Sequence, residues 1–448
     1  MKSTFMIALL LLAGAVPFAA ADDSPAELEK AVAELRAELE ALQARGSADD
    51  RLAEIERRLD LLAAELEKAR TGGAAEPAAE KPVPGFAPAA SKVYGVARGV
   101  SLGGYGEMAY QHFAGEAQDG TPAGRSDRLD FVRAIVYVGY KFTDKILFNS
   151  ELEFEHATTG EGAEERGEVS LEFGYLDFKP WSGVGLRAGL LLVPVGFLNE
   201  LHEAPVFHGV RRPDLERVII PTTWRENGVG AYGEHGPVHW RAYAVAGLDS
   251  AGFEGGEGLR EGRQGGSDSQ AEDIAFTGRL DYTGIPGLLA GASFFTGNSG
   301  QGAGFGGRVT LADVHAQYER RGLQLRALGV WTRVGDAALI DAANGLTAEE
   351  SVGERQGGWY LEAAYDLMTL QPAGRWSVTP FLRYERFDTQ RRVPAGFERD
   401  PANERAVLTA GVGVKPVPNV VLKADYQRLG NEARSGVNQL NLGFGYLF

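Results

Sequence analysis

From residue 99 to the last residue, one short segment after another alternates apolar and polar side chains at period two. That repetition constrains the fold more than any other feature of the chain. The final segment is the clearest, Val437 to Phe448, which reads V-N-Q-L-N-L-G-F-G-Y-L-F. Leu440, Leu442, Phe444, Tyr446 and Phe448 fall on one face. Gln439, Asn441, Gly443 and Gly445 make a small or polar face opposite, with Leu447 the exception. A strand reads this way when one side meets lipid and the other a wet lumen.

Sixteen such segments can be counted, at about 99–113, 128–142, 146–156, 168–179, 184–193, 226–233, 238–247, 272–283, 288–296, 308–319, 322–332, 357–368, 375–388, 404–415, 419–429 and 437–448. The gaps alternate in length. Tight turns such as Thr143-Asp144-Lys145, Glu234-His235-Gly236-Pro237 and Pro416-Val417-Pro418 take turns with long polar stretches such as 248–271 and 333–356. Short turns at one rim and long loops at the other predict an all-β fold, a sixteen-stranded antiparallel transmembrane barrel over 99–448. A sandwich would not hold that rhythm for so many strands.

The barrel is expected to begin only after three other segments. Residues 1–21 carry Lys2, an apolar core from Phe5 to Phe18 and Ala19-Ala20-Ala21, the pattern of a secretory signal peptide. Residues 22–70 hold two heptad series, Leu28, Val32, Leu35, Leu39, Leu42 and then Leu52, Ile55, Leu59, Leu62, Leu66, which predict a short α-helical coiled coil broken at Gly46. Residues 71–98 are rich in Pro, Ala and Gly and read as an extended linker. The whole chain of 448 residues has no Cys, which excludes disulfides and thiolate chemistry. It carries a net charge of −16, of which −7 lies in residues 22–90 and +1 at Lys2, leaving −10 on residues 91–448. An acidic chain of this kind is not expected to bind nucleic acid.

Sixteen strands enclose more space than wall side chains fill, so something has to narrow the lumen. The third long gap, 194–225, differs from the others because it carries Phe197, Leu198, Val206, Phe207, Val210, Leu215, Val218, Ile219 and Ile220. A loop that apolar must pack against something. Folded inward, it would put Arg211, Arg212, Arg217 and Arg225 at the narrows, with Glu200, Glu203, Asp214 and Glu216 nearby. Packing on the outer rim or against a neighbouring subunit is the alternative. Alternation also turns Arg133, Arg187, Arg241, Arg279, Arg326, Arg383, Lys423, Glu151, Glu153 and Glu155 toward the lumen.

The signal peptide, coil, sixteen strands, third loop (P-V-G…R-R-P…I-I-P-T-T-W-R-E) and terminal Phe together resemble the phosphate-selective porin O and P family. The resemblance implies a trimeric channel in the outer membrane of a Gram-negative bacterium, passing small hydrophilic or anionic solutes, with the coil in the periplasm. It also implies that Phe444, Tyr446 and Phe448 form the signal that outer-membrane assembly machinery reads. The inward basic residues are scattered, and Glu151, Glu153 and Glu155 stand among them, so a weak to moderate anion preference is expected instead of tight phosphate selection. A structural tether, with the barrel as anchor and the coil reaching into the periplasm, is the other reading. No enzyme, cofactor or metal is expected: Gly103-Gly104-Tyr105-Gly106 leads into no helix, His235 and His239 flank a turn, and no Ser, His and acid set stands out.

Overall fold

The structure is a computed structural model that describes residues 86–157, 167–370 and 376–448. The expected signal peptide, the coiled coil and the first part of the linker lie outside the described residues. Sixteen antiparallel strands close into one barrel, each hydrogen-bonded to its neighbours in sequence. They are β1 (Gly99–Phe113), β2 (Arg128–Thr143), β3 (Ile146–Glu155), β4 (Val169–Trp181), β5 (Val184–Leu192), β6 (Arg225–His235), β7 (Val238–Ala246) and β8 (Ile274–Tyr282). Then follow β9 (Leu288–Gly297), β10 (Val309–Arg320), β11 (Leu323–Val334), β12 (Arg355–Tyr365), β13 (Ser377–Arg392), β14 (Glu404–Val417), β15 (Val420–Asn431) and β16 (Gln439–Leu447).

Strands β1 and β16 close the ring in register from Tyr105↔Leu447 to Phe113↔Gln439. Phe448 extends that pairing, exchanging backbone hydrogen bonds with Gly104 at 2.9 and 3.0 Å. The tight turns sit at one rim, and Gly183 (φ 78°) and Gly287 (φ 87°) supply left-handed backbone there. The alternation holds from sequence to fold. Val136, Leu176, Phe276, Leu280, Leu361, Leu382, Leu442 and Phe444 are exposed on the outside, while Asn149, Glu151, Asp177, Asp313, Glu385, Asp425 and Asn441 are buried inside.

The interior is far from empty. Loop residues Phe197, Leu215, Ile219 and Trp224 join wall residues Tyr105, Tyr175, Leu191, Phe295, Tyr360 and Phe387 in one apolar cluster. Phe253 and Leu259 of the following long loop, and Ile340 of the helix Ala337–Asn344, belong to it too. The extended linker expected through residue 98 ends earlier: Phe86, Ala87, Ala89, Ala90 and Val93 are buried inside the barrel, and Lys92–Gly95 form one helical turn. The small Ala side chains allow it, as does inward Gly139, whose Cβ would stand 2.6 Å from Val93.

Candidate functional site

Residues 193–224 leave β5 at the long-loop rim and turn inward. Asn199 ties the two stems together. Its Nδ2 donates to the Val193 and Trp224 carbonyls at 2.6 and 2.8 Å, and its Oδ1 accepts from the Trp224 amide at 2.7 Å. Glu216, in the helical turn Leu215–Val218, accepts from the amides of Phe197 and Leu198 at 2.7 and 2.8 Å and from the Tyr360 hydroxyl at 2.8 Å. Leu215, Val218, Ile219 and Ile220 are fully buried, so apolar burial and these few polar ties hold the loop inside.

Most inward wall charges are its anchors. Lys423 donates to the carbonyls of Ala204, Phe207 and Gly209 at 2.6, 2.7 and 2.9 Å. Asp425 accepts from the Val210 amide at 2.6 Å and Glu385 from the Leu215 amide at 2.9 Å. Arg241 pairs with Glu200 at 3.1 Å, and Arg279 donates to the Gly196 carbonyl. Arg326 donates to the Val206 carbonyl at 2.9 Å. Arg383, fully buried, bridges Glu362 and Glu385 at 3.2 and 2.9 Å.

The segment 86–95 lies against the inner wall from β1 to β5. The Ala89 and Ala90 amides donate to Glu203 at 2.9 and 3.3 Å, and Tyr94 donates to Asp177 at 2.8 Å. The Arg187 guanidinium, paired with Asp177 at 3.0 Å, lies 4.3 Å above the Phe86 ring. Glu151, Glu172 and His202 lie together nearby and bring ligand atoms within 4.8 Å of one another, a set that could hold a metal ion. His202 Nε2 stands 3.1 Å from Glu151 and 3.0 Å from Glu172, the spacing an imidazolium between two carboxylates adopts. Glu151 and Glu153 are buried under the loop, not ranged along an open lumen, and Glu155 is half-buried at the end of β3.

A cavity of about 210 Å³ remains between the loop and the β1, β2 and β16 wall. Its polar lining comes from Glu107, Gln111, Asp130, Arg133, Arg211, Arg212, Arg217, Arg260 and Lys423. Arg133 is matched by Glu107 at 2.8 Å and Glu153 at 3.1 Å. Arg211 and Arg217 share Asp214 at 3.7 and 3.5 Å, and Arg217 also reaches Glu257 at 3.0 Å. Arg212 has no carboxylate in pairing range among the described residues and donates to the His202 carbonyl at 3.2 Å. Arg225 lies off this cavity, 3.9 Å from Glu172.

Arg260 and Arg263 come from the loop after β7, which its Gly-rich sequence marks only as polar. Both donate to the Thr222 carbonyl, at 2.9 and 2.8 Å. Burial, with Arg263 and Arg217 beside it, pushes the Arg260 guanidinium down to about 10, so it stays charged at neutral pH in a field of like charges. No sequence signal ties these two arginines to the narrows, because the contact spans 38 and 41 positions.

No family model matches this sequence. An uncharacterized protein of Aquifex aeolicus (strain VF5) is 41% identical over 360 residues, taking in 79% of this chain and 80% of that protein. Among solved structures, Salmonella typhi OmpF in complex with daunomycin superposes with a TM-score of 0.52 at 13% identity, covering 79% of this chain and 98% of that one. The trimer form of Vibrio cholerae OmpT gives a TM-score of 0.47 at 12% identity, covering 79% and 100%. The OmpF likeness is one of fold, and it joins the closed sixteen-stranded ring seen here. The chain belongs to the same protein family as the Aquifex aeolicus protein and is built on the barrel of the outer-membrane porins.

Proposed function

We propose that this protein is an outer-membrane porin, a water-filled passage for passive diffusion of small hydrophilic solutes with a weak to moderate preference for anions, phosphate among them. The observation that carries the reading is the lining of the 210 Å³ cavity, where Arg211, Arg212, Arg217 and Arg260 gather on the loop side. Opposite them, the acids Glu107 and Asp130 belong to the wall, and Glu107 is already paired with Arg133. Inside a narrow passage, close charges act partly unscreened and outweigh the −16 of the whole chain. The exposed apolar outside fits outer-membrane lipid, and the assembly expected is a homotrimer with residues 22–70 on the periplasmic side.

Planar-bilayer recording tests the reading. Wild type should conduct, with a reversal potential on the anion side in a tenfold KCl gradient. Arg211→Ala with Arg212→Ala should move it toward cations by on the order of 10 mV, against an ideal limit of about 59 mV. A double variant with the wild-type potential would take these arginines out of the conduction path. A wild-type protein that never conducts would favour the tether, with the barrel as a closed anchor.

A further inference from the structure

On the outer face of the barrel, Arg333 of β11 stands directly across from Arg355 of β12, and Arg355 directly across from Arg392 of β13. Like charges in facing positions on adjacent strands repel, and neighbouring strands are only about 4.8 Å apart. All three side chains are exposed, as is Arg391 beside them. Among the described residues their carboxylate partner is Glu354 alone, 2.8 Å from Arg392. Four cations with one anion at a single spot is an arrangement that an external anion would relieve.

Position narrows the chemistry of that anion. The row lies at the end of the strands that carries the long loops, since Arg333 is near the end of β11, Arg355 begins β12 and Arg392 ends β13. Just below it the outward side chains turn apolar, with Trp331, Trp359, Leu361 and Val314 exposed. A groove of about 750 Å³ joins the two zones, lined by Ala312 and Trp331 as well as by the arginines. Guanidinium groups recognise phosphate oxygens through paired N–H donors. Three strands place these groups across about 10 Å, more than one phosphate spans.

We infer that this face binds a phosphorylated glycolipid of the outer leaflet, its phosphates on Arg333, Arg355 and Arg392 and its acyl chains along the apolar band below. The inference rests on the outer-membrane placement proposed above but not on conduction. A soluble anion would have no use for the apolar half of the groove.

The test uses the full-length protein, inserted in the outer membrane and extracted in mild detergent. Native mass spectrometry and lipid phosphate analysis are run on wild type and on Arg333→Gln/Arg355→Gln/Arg392→Gln. Wild type should retain lipopolysaccharide, and the triple variant about tenfold less. After delipidation, added lipopolysaccharide should raise the temperature at which wild type loses its folded gel mobility and leave the variant unmoved. Phosphatidylglycerol vesicles and inorganic phosphate should do neither. Delipidated variant should be at least as heat-resistant as delipidated wild type, because the mutual repulsion is gone. Equal lipid on both proteins overturns the inference. So does an equal response to phosphatidylglycerol or inorganic phosphate, or loss of the oligomer with lipid unchanged, which would make the row a contact between copies. Conductance of the variant, measured in parallel, reports on the transport reading separately.

Discussion

Gly443 and Gly445 face inward on β16, where a period-two reading takes small residues as a sign of water. Their neighbours are instead the loop. A Cβ on Gly445 would stand 2.5 Å from the Ala204 Cβ, and one on Gly443 2.9 Å from Val210 Cγ1. The glycines let the loop reach the far wall, where Lys423 collects three of its carbonyls. Gly445→Val should therefore leave the strands intact, cost about 1–3 kcal/mol through overpacking, and alter single-channel conductance by displacing the loop. Unchanged conductance and heat resistance would show that the loop is not held there. Phe448 makes the opposite kind of contact, lying over Gly104, whose absent Cβ would be 2.7 Å from the Phe448 ring. Deleting Phe448 should lower the yield of folded, heat-modifiable protein through lost ring closure as well as lost recognition by assembly machinery; an unchanged yield would count against both.

Among the elements, the segment 86–95 departs most from what its composition suggests. Its amides at Ala89 and Ala90 rest on Glu203, whose carboxyl is raised to about 7 by burial and then by the Glu151 charge beside it. Between the ordinary value of 4.5 and about 7, the folded protein holds a proton that the unfolded chain has lost. The stability linked to this group is thus fully present below 4.5 and falls as pH rises toward 7. The Ala89 and Ala90 amides themselves favour the ionised carboxyl, so the linked stability is that of the whole fold, and the temperature at which folded gel mobility is lost should be higher at pH 5 than at pH 8. Glu203→Gln should flatten that difference; a difference that survives it would assign the effect to another group.

Residues 28–66 carry heptad seams that one helix cannot bury, and a homotrimer joined partly through them is the proposed state. Deleting residues 24–70 should weaken the oligomer in detergent and leave the barrel folded. A wild-type protein that runs as a monomer by light scattering would rule the proposal out.

The sequence by itself determined the barrel. Strand number, the rhythm of turns and the outward faces follow from period-two alternation and turn residues, which are local and survive into the fold almost position by position. The apolar content of 194–225 also announced that this loop packs inward, on the outer rim or against a neighbouring subunit. Tertiary structure alone decided which charges remain free. Alternation says that Arg187, Arg241, Arg279, Arg383 and Lys423 face inward, but it cannot say that loop carbonyls and buried carboxylates consume them. Arg260 reaches the passage from a different loop, and Phe86 enters from a stretch that reads as linker. Those outcomes depend on contacts between residues far apart in the chain, and a pattern that repeats every two residues holds no information about such pairs.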